Sequence, residues 1–277
     1  MISLARPQAP FGRRELVVTS RREVGPYVAL TALDAAGPAP LAGQFYMLST
    51  PAGWGGGEDG RPYLPRALSF ARCAEASSGV SLDFLFEVVG PGTDRLAQVP
   101  EGEVLEVNGP FGNGFTPDGG REAILVAGGI GLAPIVALDD QFRASDVAPA
   151  ATLVGMRSAQ HAEACALYDL ECELATDDGS AGRKAFVTEL LSDQLRSHPA
   201  AEVFACGPPL MLEAVRELCG SLSVPAQLAM ESGMACGFGA CHGCVVPTRS
   251  GYLRLCVDGP VLAAAEIDSA AFSGAES

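Results

Sequence analysis

Up to about residue 116 the chain alternates short runs rich in Val, Leu, Phe, Tyr and Thr with turns of Gly and Pro. The runs at 15–20, 27–33, 44–49, 67–71, 81–89 and 103–108 predict closely spaced strands, and hence a small antiparallel barrel. Residues 51–65, with glycines at 53 and 55–57, read as a loop. From residue 121 the pattern changes. Apolar runs at 123–127, 151–155, 172–175, 202–205 and 227–230 alternate with helical periodicity at 132–142, 163–170, 187–195 and 209–219. That alternation predicts a doubly wound parallel sheet. After residue 230 four clustered cysteines and a glycine-rich loop make a small third unit that needs metal for order. The expected fold class is therefore α+β and multi-domain, with a barrel over 1–116, an α/β nucleotide-binding domain over 117–230 and a cluster unit over 231–277.

A length of 277 residues suits such a division, and the 48% hydrophobic content is ordinary for a globular chain. No run approaches the roughly eighteen uncharged apolar residues of a membrane span. The stretch from Met1 to Arg14 has arginines but neither an apolar segment nor a small-residue cleavage site, so a cytoplasmic location is expected. With 33 acidic against 18 basic residues the formal charge is −15, which repels phosphate backbones and excludes nucleic acid as an expected partner.

Nine cysteines, an odd number, without an export signal argue for metal or redox chemistry rather than a disulfide framework. Cys73, Cys165, Cys172 and Cys219 are scattered in apolar or helical surroundings and read as small buried hydrophobes. The other group carries the strongest signal in the chain. Cys236, Cys241 and Cys244 share one loop, and Cys256 follows after eleven residues, which is the plant-type 2Fe-2S spacing C-x4-C-x2-C…C. Gly237, Gly239 and Gly243 let the backbone come close and aim N–H groups at sulfur. A structural zinc site would more often use two paired C-x2–4-C knuckles. A Rieske centre would need two histidines in place of two cysteines, so His242 reads as a solvent-facing neighbour.

The run from Ala123 through Gly128, Gly129 and Gly131 to Pro134 is a strand, a glycine turn and a helix opening, which brings N–H groups to a pyrophosphate. Cys206, Gly207 and Pro208 end a later strand of the same sheet, where the carboxyl ends line the ligand crevice. Together they favour a nicotinamide site. In the barrel half, Arg66, Ala67, Leu68 and Ser69 combine a guanidinium for phosphate with a hydroxyl within reach of an isoalloxazine ring. Leu85, Phe86 and Glu87, then Gly92 and Thr93, offer an apolar face and a phosphate-holding turn.

This ordered set of motifs resembles the electron-transfer subunits of the NAD-linked dihydroorotate dehydrogenases, within the ferredoxin reductase superfamily. The resemblance runs through Arg66 to Ser69, Gly92-Thr93, Asn108 to Phe115, Gly128 to Gly131, Ala175 to Ser180, Cys206 to Pro208, Met234 to Cys241 and Cys256 to Val261. It implies FAD held by Arg66 to Ser69, Leu85 to Glu87 and Gly92-Thr93, and NAD at Gly128 to Gly131, Asp177, Asp178 and Cys206 to Pro208. It also implies a separate dihydroorotate-oxidising subunit carrying FMN, in a heterotetramer, with electrons crossing the 2Fe-2S cluster and FAD to NAD+ in pyrimidine biosynthesis. The chain departs from the family at Ala67, where proline is frequent, in the longer loop at Gly53 to Gly60, and at His242, where an apolar residue is usual.

On this reading the chain orients, spaces and tunes its cofactors, and no side-chain acid or base is required of it. Competing readings are a reductase subunit of another dehydrogenase or an oxygenase, and a non-catalytic metal-binding sensor. Arg157, after a sheet strand, could serve a 2′-phosphate, whereas Asp177 and Asp178 would oppose one, so resemblance decides for NAD.

Overall fold

The computed structural model describes residues 12–57 and 60–270. Most of the stretch read for an export signal, and part of the Gly53 to Gly60 loop, lie outside the described residues. Six strands form a closed antiparallel barrel in the order β1-β2-β5-β4-β3-β6. They are β1 (Arg14–Val24), β2 (Tyr27–Asp34), β3 (Phe45–Ser49), β4 (Arg66–Ala76), β5 (Gly79–Glu87) and β6 (Val104–Phe111). The alternation read from the sequence is the reason: Leu16, Leu30, Leu48, Leu82, Phe84 and Leu105 turn inward and are fully buried. Helix α1 (Pro91–Ala97) bridges β5 and β6, with Pro91 at its first turn, where a missing N–H costs nothing.

The second unit is a sheet ordered β10-β9-β8-β7-β11-β12-β15. Its central strands are β7 (Ala123–Gly128), buried at every position, and β11 (Glu202–Cys206), equally buried. Continuous burial is what a parallel strand covered on both faces requires. Outward lie β8 (Ala151–Met156), β9 (Glu173–Thr176) and the short β10 (Arg183–Lys184) on one side, and β12 (Ala226–Ala229) on the other. Helices α2 (Leu132–Ala144), α3 (Ala159–Leu167), α4 (Val187–Ser197) and α5 (Pro209–Leu222) make the crossovers. Helix α3 begins earlier than its apolar spacing predicts, because Ser158 is extended and helical geometry starts at Ala159. It ends at a turn in which Asp169 takes a positive φ of 50°.

After β12 the chain leaves the sheet, forms the cysteine loop and a hairpin of β13 (Val245–Thr248) and β14 (Gly251–Arg254), then returns. The return strand, β15 (Val261–Ala263), pairs antiparallel with β12 and so joins the nucleotide-domain sheet. Barrel and sheet meet through aromatic packing. Phe204 of β11 lies edge-on to Phe115 at 5.9 Å and to Phe142 at 6.1 Å. The Arg72 guanidinium of β4 also donates to Asp140 on α2 at 2.8 and 3.1 Å.

Candidate functional site

A cleft of about 220 Å³ runs between the barrel and the carboxyl edge of the sheet. The barrel wall is Phe45, Ala67, Leu68, Ser69 and Leu85, and the facing wall is Ile130, Ala133, Pro134, Cys206, Met230 and Glu231. Register explains the barrel wall, since Ser69 pairs with Phe45 and Ala67 with Met47 across β3 and β4. Cys206 is brought there as the last residue of β11, beside β7 and its glycine turn. Gly131 is required at that turn, because a Cβ would lie 2.3 Å from the Cys206 carbonyl oxygen. Burial pushes the Cys206 thiol well above its usual range, and the nearby Glu231 charge pushes it further.

Glu231 is a cleft-lining side chain the sequence reading missed. Its side chain is exposed at the cleft, and desolvation there raises its carboxyl above the usual range. Its signal was positional: it lies just beyond the carboxyl end of β12, at the edge where such sheets bind ligands.

Arg66 stands at the start of β4 against the first turn of α1. A Cβ on Gly92 would lie 2.2 Å from Arg66 Nε, so the glycine makes the cradle in which the guanidinium rests. Arg66 donates to the Leu64 carbonyl at 2.7 Å and lies 5.9 Å above the Trp54 ring. Burial lowers its pKa, and among the described residues no carboxylate pairs with it. A partly buried cation without an anion beside a helix start fits a pyrophosphate. The structure therefore accommodates FAD here. Of the other residues read for this site, Phe86 turns into the core, 1% exposed, and Glu87 points toward Arg157. The Thr93 hydroxyl accepts from the Val89 and Gly90 N–H groups at 2.9 and 3.2 Å, so it shapes the turn.

On the nucleotide side Gly128 ends β7, and Gly129 has a positive φ of 53° that suits a residue without Cβ. Gly207 and Pro208 follow β11 at the same edge and open α5. Asp177 and Asp178 lie at the end of β9, two strands away from β7 in the sheet and exposed. The Asp178 carboxylate accepts from the Ser180 N–H at 2.9 Å and hydroxyl at 2.6 Å, which lowers its pKa.

The four cluster cysteines come together as two pairs. Cys244 and Cys256 are buried with sulfurs 3.3 Å apart. The Cys241 N–H points at Cys236 Sγ, 3.5 Å away, at the more open end of the loop. Further N–H groups from Gly243 and Cys256 point at Cys241 Sγ and Cys244 Sγ at 3.4 and 3.5 Å. Positive φ at Gly237, Gly239 and His242 bends the loop so that these amides face sulfur, and His242 itself is exposed. Burial alone would raise the Cys236 pKa, but the amides of Cys241, Phe238 and Ala240 bring it down to about 6. Burial, with Cys244 close by, raises the Cys256 thiol to about 12. Among the described residues no three His, Cys, Asp or Glu groups gather closely enough for a single ion. Sulfurs set in two pairs, with amides aimed at three of them, fit a binuclear cluster better than one zinc.

Residues 231–268 match the family described as the iron-sulfur cluster binding domain of dihydroorotate dehydrogenase B. The electron transfer subunit of dihydroorotate dehydrogenase B (NAD(+)) from Caldanaerobacter subterraneus is 32% identical over 254 residues, covering 90% of this chain and 96% of that one. Its counterpart from Clostridium perfringens is 36% identical over 231 residues, covering 82% and 87%. Among solved structures, an NADH-dependent reduced ferredoxin-NADP oxidoreductase superposes with a TM-score of 0.75 at 22% identity, covering 97% of this chain and 92% of that chain. Phthalate dioxygenase reductase gives 0.62 at 18% identity, covering 94% and 96%.

Barrel, parallel sheet and cysteine loop thus define a ferredoxin-reductase-type fold with an iron-sulfur unit. Within that class the chain belongs to the family of electron transfer subunits of NAD-linked dihydroorotate dehydrogenase B.

Proposed function

We propose that the chain carries electrons from a dihydroorotate-oxidising FMN subunit through a 2Fe-2S cluster and FAD to NAD+, in pyrimidine biosynthesis. The observation that carries this reading is the contact between the cysteine loop and the flavin wall. Gly237 packs on Met47 of β3, and Phe45 of the same strand lines the cleft. Cluster and flavin sites are therefore separated by little more than one strand.

In this reading Cys236, Cys241, Cys244 and Cys256 hold the cluster. Arg66, over Gly92, neutralises the FAD pyrophosphate, while Ala67, Leu68, Ser69 and Leu85 seat the ring. Gly128, Gly129, Gly131 and Cys206 to Pro208 form the NAD side, with Asp177 and Asp178 at its adenosine end. Bound flavin supplies the exchange between single-electron and hydride chemistry. The chain's own contribution is to orient the two rings, and to keep water out with apolar walls from Leu85, Ile130 and Pro134. The barrel over 1–116, the sheet over 117–230 and the cluster unit over 231–277 divide these tasks.

Family membership supports a separate catalytic subunit as partner, and we extend this to a two-plus-two heterotetramer in the cytoplasm. No described helix is long and apolar enough to cross a membrane. The test is anaerobic titration of the chain, reconstituted with FAD, iron and sulfide, with NADH. Flavin and cluster should both bleach, and a dihydroorotate-oxidising subunit should co-purify. A protein that holds neither iron nor labile sulfide would sink the proposal.

A further inference from the structure

Glu87 ends β5 of the barrel, but its carboxylate leaves the barrel. Its Oε1 lies 3.9 Å from Arg157 Nη1 on the nucleotide domain. Arg157 directly follows β8, at the sheet edge where the adenosine half of a dinucleotide is expected. Its side chain is 73% exposed, and a free guanidinium at that position would suit a 2′-phosphate.

The turn after β9 runs alongside the same arginine. The Asp177 and Asp178 N–H groups donate to the carbonyls of Met156 and Arg157 at 3.0 and 3.4 Å, which stitches the turn after β9 alongside Arg157. The Ser180 hydroxyl accepts from the Ala159 N–H at 2.7 Å and donates to Asp178 at 2.6 Å, fixing that carboxylate at the edge. The seam under Glu87 is packed as well. Buried Tyr27 lies edge-on to His161 at 5.9 Å, and its hydroxyl sits 3.9 Å from Met156 Sδ. Burial, then the Glu87 charge, raises the Tyr27 phenol to about 12 while Arg157 pulls it back.

We propose that Glu87, a residue of the flavin barrel, sets the nicotinamide preference by neutralising Arg157, so that the edge accepts a ribose diol and repels a 2′-phosphate. The inference rests on the reading of this edge as the NAD site. The guanidinium is paired with Glu87, and the exposed Asp177 and Asp178 follow on the adjoining turn, so the negative charge at this edge acts on a dianionic phosphate far more than on a neutral diol. Specificity then comes from the domain that does not bind the dinucleotide.

The experiment is calorimetric titration of the FAD-loaded full chain with AMP and with 2′,5′-ADP, reading the ratio of the two affinities. The unchanged protein should favour AMP, and added salt should narrow the gap. Glu87→Gln should shift the ratio toward 2′,5′-ADP by roughly tenfold. Glu87→Asp should keep the original ratio, and adding Arg157→Gln to Glu87→Gln should erase the gain. Flavin absorbance reports whether each variant is folded and loaded; should Glu87→Gln fail there, Glu87→Ser carries the same expectation. A ratio unmoved in a loaded, charge-removed variant, or discrimination indifferent to salt, would overturn the inference while leaving the NAD site standing. Failure of the unchanged protein to bind AMP would overturn both.

Discussion

Gly237 of the cysteine loop sits directly on Met47 of β3: a Cβ at Gly237 would lie 2.6 Å from Met47 Cγ, and the residue has a φ of 78°. Two requirements therefore meet at one position, a left-handed backbone and a close approach to the strand behind the flavin cleft. Gly237→Val should strain the loop by about 1–3 kcal/mol and push it off β3. Iron and labile sulfide per chain should fall, and in stopped-flow any retained cluster should accept electrons from NADH more slowly.

Cys256 is buried beside Cys244 and arrives from the far end of the β13–β14 hairpin. Cys256→Ala should abolish the broad visible absorption of the cluster while FAD remains bound, since the Arg66 cradle is a separate part of the barrel. NADH oxidation by a small artificial acceptor should persist, whereas dihydroorotate-driven NAD+ reduction in the assembled complex should stop.

Among the described residues no carboxylate pairs with Arg66, the cation of the proposed FAD site. Charge-assisted hydrogen bonds to phosphate contribute about 1.5–3 kcal/mol, so Arg66→Ala should weaken FAD binding by roughly ten- to a hundredfold. Arg66→Lys should recover only part of this, because an ammonium lacks the planar fork. Release of flavin fluorescence on dilution measures it.

Gly131→Ala tests the corner where β7 turns toward α2. The new methyl would meet the Cys206 carbonyl at 2.3 Å, backbone against side chain, so the strand end must shift. NADH affinity should drop by about tenfold or more for a displacement costing about 1.4 kcal/mol or above, with FAD content unchanged.

Glu213 on α5 accepts from the Arg216 guanidinium at 3.0 and 2.6 Å and from the Ala270 N–H at 2.5 Å, tying the helix to the chain beyond β15. The Arg216 hydrogen bonds hold its carboxyl down at about 2, against an ordinary 4.5. A depressed carboxyl contributes stability that is complete above the unfolded pKa and is lost as pH falls through the folded one. Unfolding titrations of the unchanged chain should therefore lose this contribution between about pH 4.5 and about pH 2. Glu213→Gln should cost about 1 kcal/mol at neutral pH, solvent screening included, and should flatten that part of the profile.

Much of this was legible because the signals are local. The ligand spacing from Cys236 to Cys256 lies in one stretch of chain, and the glycine turn after β7 is written in consecutive residues. Burial along β7 and along Val203 to Cys206 of β11 follows from their apolar runs. What escaped depends on contacts between distant residues. Glu87 and Arg157 are joined only when the barrel docks, and Glu231 acquires its meaning from a cleft made by two domains. The three residues of β15 are too short for any periodicity, and their pairing with β12 is decided by the cluster unit between them.

That pairing governs what happens when iron is lost. Both ends of the segment holding the cysteine loop and the β13–β14 hairpin are clamped, Ala229 opposite Val261 and Leu228 opposite Leu262, in neighbouring strands about 4.8 Å apart. A second clamp comes from Asn113 of the barrel side, whose amide donates to the Asp258 carbonyl at 2.9 Å. An emptied loop is thus a short tether with fixed endpoints, whose entropy on melting is limited by closure rather than by a free tail. Loss of the metal should therefore quicken amide exchange between the clamps and leave β7 and β11 unaltered.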